Sequence, residues 1–309
     1  MENRLNISRY FLKETGGLFL HLDCNANYYG RMLLNIIFKN DNFINEIIWK
    51  RYAPHSLSNK KYDTISDNIL LYAKNNTFVQ LKPQLQIIDG DMIEKIFPYI
   101  EKETGRRYQH ATLEKSANSS SKGEERIIQG RRVISNLGWI WSQKTLDERI
   151  SKNPYLILWT KEGRPRYKIY ADEYEGKPLG NIWDDIDYLS SGDTERTSFQ
   201  TQKPEILLKC FIESNSNKSN LVMDYFLGSG TTTAVAHKLN RKYIGIEMGK
   251  HFHSIILSRQ KEVLACKGNH EPCGITKDVD WQGGGFFKYY ELEQYEDSLK
   301  RLLDENYRL

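Results

Sequence analysis

Long apolar runs are missing from this 309-residue chain. No window approaches 18 consecutive apolar residues, so no membrane-crossing helix is expected and the reading is of a protein without a membrane partner. The N-terminus, MENRLNISRYFLKETGG, has no apolar stretch followed by small residues and does not read as a secretory signal. Cysteine is scarce: four in all, Cys24, Cys210, Cys266 and Cys273. That argues against a disulfide-stapled fold and favours a reducing, cytoplasmic setting. Proline is scarce as well, and none of the eight stands beside another. No internal repeat is visible, so solenoid and propeller architectures are not indicated.

Strong net charge is also lacking, but the charge is unevenly placed. The total is +4, yet Glu101 to Tyr170 holds 15 Lys/Arg against 8 Asp/Glu. The remainder is therefore slightly acidic. A local basic surplus suits a polyanion such as nucleic acid, and equally describes a solvated basic face. Aromatic residues are plentiful, with 19 Tyr, 12 Phe and 6 Trp, enough for a packed core.

Apolar periodicity gives a coarse element order. Asn6 to Thr15 reads as a helix closed by Gly16-Gly17. LFLHLD, Leu18 to Asp23, reads as a short buried strand, and Tyr28 to Phe38 as a helix. NEIIW and NILLYAK read as two more strands. The character changes near residue 80, and KSANSSSKGEER reads as a loop. GWIWS and YLILWTKEGRPRYKIY restore strand-like runs. KPEILLKCFIES, Lys203 to Ser214, is an amphipathic helix with Pro204 near its first turn. Strands alternating with helices at both ends predict an α/β fold, and the irregular middle reads as an insertion.

The most informative stretch is LVMDYFLGSGTTTAVAHKLNRKYIGIE, Leu221 to Glu247. An apolar run ends in Asp224, Gly228 and Gly230 follow, and a helix is predicted from about Thr231. Glycines let the backbone turn sharply and approach a ligand, and free N–H groups at a helix start favour an anionic group. Glu247 closes the next apolar run, where a carboxylate commonly accepts hydrogen bonds from a ribose diol. Together these suit a nucleoside cofactor. The third glycine of a dinucleotide fingerprint is replaced by Thr233, and the phosphate-loop pattern is absent. S-adenosylmethionine, with no pyrophosphate, therefore fits. Taken by itself, the loop equally describes a glycine-rich turn of an ordinary α/β protein.

Beyond that loop the sequence resembles a family. DYFLGSGTT looks like the F-x-G-x-G motif of the amino-group DNA methyltransferases, TQKPE like their adjoining cofactor motif, and GIEM like their ribose-binding acid. LKETGGLFLHLD, FINEIIW, GWIWS, GRPRYKIYADEYEG, WDDI and WQGGGFFKYYELEQYED look like type III restriction-modification adenine methyltransferases, specifically their modification subunit. The likeness spans nearly the whole chain except roughly residues 80 to 130. It implies a Rossmann-like sheet for S-adenosylmethionine with an inserted target-recognition region, acting on double-stranded DNA, dimeric and paired with a restriction subunit. Asp224 and Phe226 would line the methionine and adenine parts, Gly228, Gly230 and Thr231 would shape the loop, Thr201 and Lys203 would reach the amino-acid end, and Glu247 would hold the ribose. The divisions expected are residues 1–79 and 181–268 for the two core halves, 80–180 for target recognition and 269–309 for a tail.

The same comparison leaves a gap. Methylating adenine N6 requires a flipped base and a clamp that aligns a weakly nucleophilic nitrogen with the methyl group. In the family this clamp is Asp/Asn/Ser-Pro-Pro-Tyr/Phe. With no adjacent prolines it is absent, and no catalytic residue is assigned. NPYL, Asn153 to Leu156, lacks one proline and reads as a turn before a strand. In this permuted class the clamp lies upstream of the helix before GGLFLHLD, so the chain is expected to be N-terminally truncated or split, lacking the clamp and the first strand of the catalytic half, with the clamp on a separate fragment if split, and with little activity alone. N4-cytosine methylation and a non-catalytic DNA-binding remnant are the alternatives.

Smaller constellations carry weaker signals. GRPRYKIY sets Arg164, Arg166 and Lys168 among tyrosines, suited to phosphate contacts or to a basic edge strand. Cys266, His270 and Cys273 lack an evident fourth ligand, so no metal is expected. His251 and His253 read as surface residues, Asp23 as a polar strand exit or a site neighbour, and Trp139, Trp141, Trp159 and Trp183 as core.

Overall fold

The chain is described by a computed structural model, which describes residues 1–52, 60, 62–86, 90–116, 120–266, 273–292, 295, 299 and 300. It divides into two compact units, residues 1–84 with 180–309, and residues 85–179.

The first unit opens with α1 (Glu2–Phe11), β1 (Gly17–Leu22), α2 (Asn27–Phe38), β2 (Phe43–Lys50) and β3 (Ser66–Ala73). Strand β3 runs antiparallel between β1 and β2. The two-residue period sends Leu20 and Leu70 to one face, where α2 covers them with Leu34 and Phe38, joined by Leu5 of α1. Each such fully buried side chain contributes about 1.5–3 kcal/mol. Helix α1 lies earlier than the periodicity predicts: it ends at Phe11, and Leu12 is already extended. Leu5 supplies its buried contact, while Phe11 stays 66% exposed.

The second unit contains β4 (Leu85–Gln86), α3 (Gly90–Ile96), β5 (Tyr99–Ile100), β6 (Arg107–Thr112), β7 (Glu125–Ile128), β8 (Arg131–Ile134), α4 (Gln143–Lys152), β9 (Ile157–Trp159), β10 (Pro165–Tyr170) and β11 (Lys177–Pro178). Strands β5, β6, β10 and β9 form one antiparallel sheet in that order, while β7 pairs with β8 and β11 with β4. Leu113, Ile128, Trp139, Leu146, Leu156, Ile157 and Tyr170 make its core. GWIWS forms no strand; Trp139 makes one isolated bridge to Glu114, and its indole Nε1–H donates to the Glu124 carbonyl at 2.8 Å. Its side chain is buried, and Trp141 and Trp159 pack against the same core.

The chain returns to the first unit with β12 (Ile182–Trp183), α5 (Glu205–Asn215), β13 (Leu221–Asp224), α6 (Thr231–Lys238), β14 (Lys242–Gly245), a π-helical turn (Phe252–Ile256) and α7 (Leu257–Ala265). Strand β12 adds parallel to β2. Phe211 of α5 stacks on Phe19 of β1 at 4.9 Å and on Trp183 at 5.4 Å, covering the sheet face opposite α2. Strands β13 and β14 pair in parallel with α6 as their crossover. The class is α/β, as the alternation predicts.

Candidate functional site

The loop from β13 to α6 is built from its strand end. Asp224 accepts the Phe226 N–H at 2.9 Å with Oδ1 and the Thr232 hydroxyl at 2.6 Å with Oδ2. Its carboxylate thus ties the strand to the first turn of α6. Gly228 and Gly230 have φ of +56° and +78°, a region that strains other residues. Space is short too: a Cβ on Gly228 would lie 3.2 Å from the Phe199 ring, and one on Gly230 3.2 Å from Ile256. Gly230 caps α6 without a side-chain acceptor, so the first-turn N–H groups have no side-chain cap.

Glu247 closes this loop from the other strand. Its Oε2 accepts the Gly228 N–H at 2.8 Å, and its Oε1 accepts those of Met248 and Gly249, both at 2.9 Å. Burial works to raise its pKa, but the backbone donors from Gly228, Gly249 and Met248 outweigh it and hold the carboxyl below its ordinary value. Oε1 is filled by its two N–H donors, while Oε2, with one, keeps acceptor capacity for a ligand. His251 adds a brace the sequence reading missed: its Nε2 lies 3.0 Å from the Gly228 carbonyl, and its ring packs against Phe199 at 4.9 Å.

Above the loop are two apolar surfaces, Phe226, 49% exposed, and Met248, 83% exposed. Arg4 of α1 reaches both. Its guanidinium carbon lies 4.6 Å from the Phe226 centroid, and a terminal nitrogen lies 3.4 Å from the Met248 sulfur. This Phe226–Met248 slot is filled by Arg4, which a planar heterocycle with its ribose toward Glu247 would displace. No sequence signal singles out Arg4, which lies far away along the chain.

The TQKPE segment joins from below. The Thr231 hydroxyl donates to the Lys203 carbonyl at 3.3 Å, and the Lys203 ammonium donates to the Thr201 carbonyl at 3.2 Å. Burial pushes the Lys203 amine down, and the Asp67 carboxylate opposes the fall. Thr231 is 4% exposed, and Arg259 Nη1 donates to its hydroxyl at 3.0 Å. What it offers a ligand is its backbone N–H. Arg259 also meets Glu205 at 2.9 Å, and Glu205 meets Lys238 at 2.7 Å, all buried. This network anchors α6 from beneath.

Residues 1–258 match the DNA methylase family of N6 and N4 methyltransferases. The chain belongs to that family. Among its relatives is the probable type III restriction-modification enzyme HindVI Mod subunit of Haemophilus influenzae, 26% identical over 97% of this chain and 48% of that protein. DNA adenine methyltransferase YhdJ of Escherichia coli is 44% identical over 85 residues, 27% of this chain and 28% of that protein. A crystal structure of the M1.HpyAVI–SAM complex is 15% identical, covers 84% of this chain and 81% of that one, and has a TM-score of 0.43. The chain spans about half the length of the Haemophilus relative.

The three cations expected at DNA differ in fate. Arg164 is half exposed and donates to Glu114 at 3.1 Å. Arg166 lies 3.0 Å from His110 Nδ1. Lys168 is 7% exposed, with its ammonium 2.5 Å from Glu101. The last placement corrects the expectation: β10 turns Lys168 inward, and a buried, paired ammonium is not presented to a phosphate. Asp23 is the polar strand exit, accepting the N–H groups of Asn25 and Ala26 before α2. Cys266 and Cys273 are free and His270 lies outside the described residues; among the described residues no group of three or more His, Cys, Asp or Glu could hold a metal. No described helix is long and apolar enough to cross a membrane.

Proposed function

We propose that this DNA methylase binds S-adenosylmethionine at the β13–α6 loop and serves methyl transfer to adenine N6 in duplex DNA, as the modification subunit of a type III restriction-modification system. The observation that carries the reading is the Glu247 carboxylate held on Gly228 N–H, next to the Phe226–Met248 slot. It sets a ribose acceptor, a planar slot and an uncapped helix start around one loop. The bound donor supplies an electrophilic methyl group. The protein's part is to hold the ribose through Glu247, flank the adenine with Phe226, and face the amino-acid end with Thr201 and Lys203.

The adenine reading draws on the similarity to the Escherichia coli adenine methyltransferase, and the partnership with a restriction subunit on the similarity to the Haemophilus Mod subunit. N4-cytosine is the second reading, because the matched family covers both chemistries. The second unit is the part proposed to read DNA, through exposed cations such as Arg164, and the protein would work as a dimer. No two prolines are adjacent, so the clamp on the acceptor base would come from another polypeptide segment, and this chain alone would methylate weakly or not at all.

Calorimetry with S-adenosylmethionine tests the donor site: binding that Asp224→Ala abolishes is expected, and no binding by the wild type would overturn the reading. Labelled donor incubated with DNA tests the division of labour, which strong incorporation by this chain alone would overturn.

A further inference from the structure

The face of the first sheet opposite α2 carries an ionisable cluster outside the donor loop. Alternation along β1 puts Phe19 and His21 on that face, where Phe211 of α5 stacks on Phe19. The register sets Ile69 of β3 opposite His21, and Asp67 opposite Trp49 of β2. Asp67 therefore shares the face and stands diagonal to His21. Lys203 lies in the TQKPE segment that leads into α5, the helix packed on this same face.

Asp67 is the centre of the cluster and is 4% exposed. Its Oδ2 accepts from His21 Nε2 at 2.9 Å. Arg51 Nε lies 3.4 Å from Oδ1, yet both atoms are buried with no hydrogen-bond partner among the described residues. Burial acts to raise the Asp67 pKa, but the His21 bond, with the charges of Arg51 and Lys203, outweighs it and holds the carboxyl below its ordinary value. Burial pushes the His21 imidazole down, so above neutrality its neutral Nε2–H tautomer donates to the ionised carboxylate. Arg51 and Asp67 offset each other, which leaves the Lys203 ammonium as the surplus charge. Its hydrogen bond goes to a neutral acceptor, the Thr201 carbonyl, at 3.2 Å. Burial lowers the Lys203 pKa, the Asp67 carboxylate opposes the fall, and the Arg51 charge adds to it.

We propose that Asp67, clamped by His21, is a positioning residue for the methyl donor: it holds Lys203 as an ammonium that faces the donor's carboxylate. This role rests on the reading that Lys203 faces the amino-acid end of S-adenosylmethionine. Asp67 touches no ligand and acts through Lys203. A buried amine that loses its counter-charge gives up its proton more readily, and a neutral amine offers a carboxylate no charge. The charged and titratable groups that act on Lys203 are Asp67 from β3, Arg51 from the end of β2 and His21 from β1. An arginine keeps its charge throughout and His21 is neutral above pH 7, so the alkaline window belongs to Lys203. Affinity for a carboxylate ligand then falls as pH rises through the Lys203 pKa, and losing Asp67 moves that fall to lower pH.

NMR titration of the Lys203 side chain in the whole chain without ligand reads the first half of this. Asp67→Asn keeps the side chain's shape and should make Lys203 titrate lower by about one pH unit; an unchanged midpoint would overturn the proposal. Should that variant not fold, Lys203→Met reads the coupling from the other side. The Lys203 charge lowers the His21 pKa, so His21 should titrate higher in Lys203→Met than in the wild type, and an unmoved His21 would overturn the proposal equally. Calorimetry above neutrality reads the second half, with S-adenosylhomocysteine, which carries the carboxylate, and 5′-methylthioadenosine, which lacks the amino-acid end. Asp67→Asn should bind the first about three- to tenfold more weakly and the second as the wild type does. Equal loss for both ligands would mark a merely structural role and overturn the proposal. Binding of neither ligand by the wild type would overturn the donor-site reading and the donor's part in this role, while the NMR midpoints score the Asp67–Lys203 coupling on their own.

Discussion

The guanidinium of Arg4 lies over the ring of Phe226, 4.6 Å from its centroid, and so links the first helix of the chain to the donor loop. A cation–π contact at an exposed site contributes about 0.5–1 kcal/mol. Arg4 also occupies the face of Phe226 on which an adenine would stack. Arg4→Ala is therefore predicted to tighten S-adenosylmethionine binding about two- to fivefold, read by calorimetry. A weaker-binding variant would show that the arginine holds the donor instead of competing with it.

Glu247 accepts three backbone N–H groups, and an amide in its place can accept with only one oxygen. Glu247→Gln is predicted to lower donor affinity about tenfold, the equivalent of about 1.4 kcal/mol, and to lower the melting temperature near neutral pH. The pH dependence has a definite sign. The folded carboxyl titrates below its ordinary value of 4.5, so its stabilisation is present above that pH and lost as pH falls through the folded pKa. Melting temperatures of wild type and variant should converge in acid; a gap that persists there would refute the assignment.

Glu195 behaves in the opposite way. Burial, and then the charge of Glu205, push its carboxyl up to about 7, against the pull of the Glu205 N–H and Arg259. Between the ordinary 4.5 and about 7 the folded state keeps a proton that the unfolded state has released. Stability therefore falls as pH rises through that window. Glu195→Gln removes the titration and is predicted to be more stable than wild type above neutrality by about 1–2 kcal/mol, measured by urea unfolding. A less stable variant at alkaline pH would mean that the ionised carboxylate's bonds to Glu205 N–H and Arg259 outweigh its desolvation.

Local signals made the donor loop readable. The strand ending at Asp224, the two glycines and the helix from Thr231 are all set by neighbours in sequence, because φ above zero and helix starts have their own residue preferences. The bracing was not readable. Arg4, His251 and Arg259 reach the loop through tertiary contacts, and nothing in their own neighbourhoods marks them. Burial produced the other errors. Alternation along GRPRYKIY shows that Lys168 shares a face with Arg164 and Arg166, but not that Glu101 waits inside that face. The sequence places Thr231 in the loop but does not show that its hydroxyl is held by Ser229 and Arg259.

The Lys168–Glu101 pair separates a structural cation from a DNA-facing one. Glu101 is 2% exposed and also accepts the Tyr170 hydroxyl at 2.7 Å. Burial acts to raise its pKa, but the bonds from Lys168, Thr104 and Tyr170 outweigh it and hold it ionised. Removing one partner of a buried pair leaves an uncompensated charge and costs about 3–5 kcal/mol. Lys168→Ala is therefore predicted to destabilise the protein by that order in urea unfolding. The exposed Arg164–Glu114 pair contributes about 0–1 kcal/mol, so Arg164→Ala should leave unfolding nearly unchanged. Its effect is expected in DNA binding, as a weaker affinity and a salt slope shallower by about one phosphate contact. A Lys168→Ala protein of wild-type stability that lost DNA affinity would return that lysine to the DNA-facing surface.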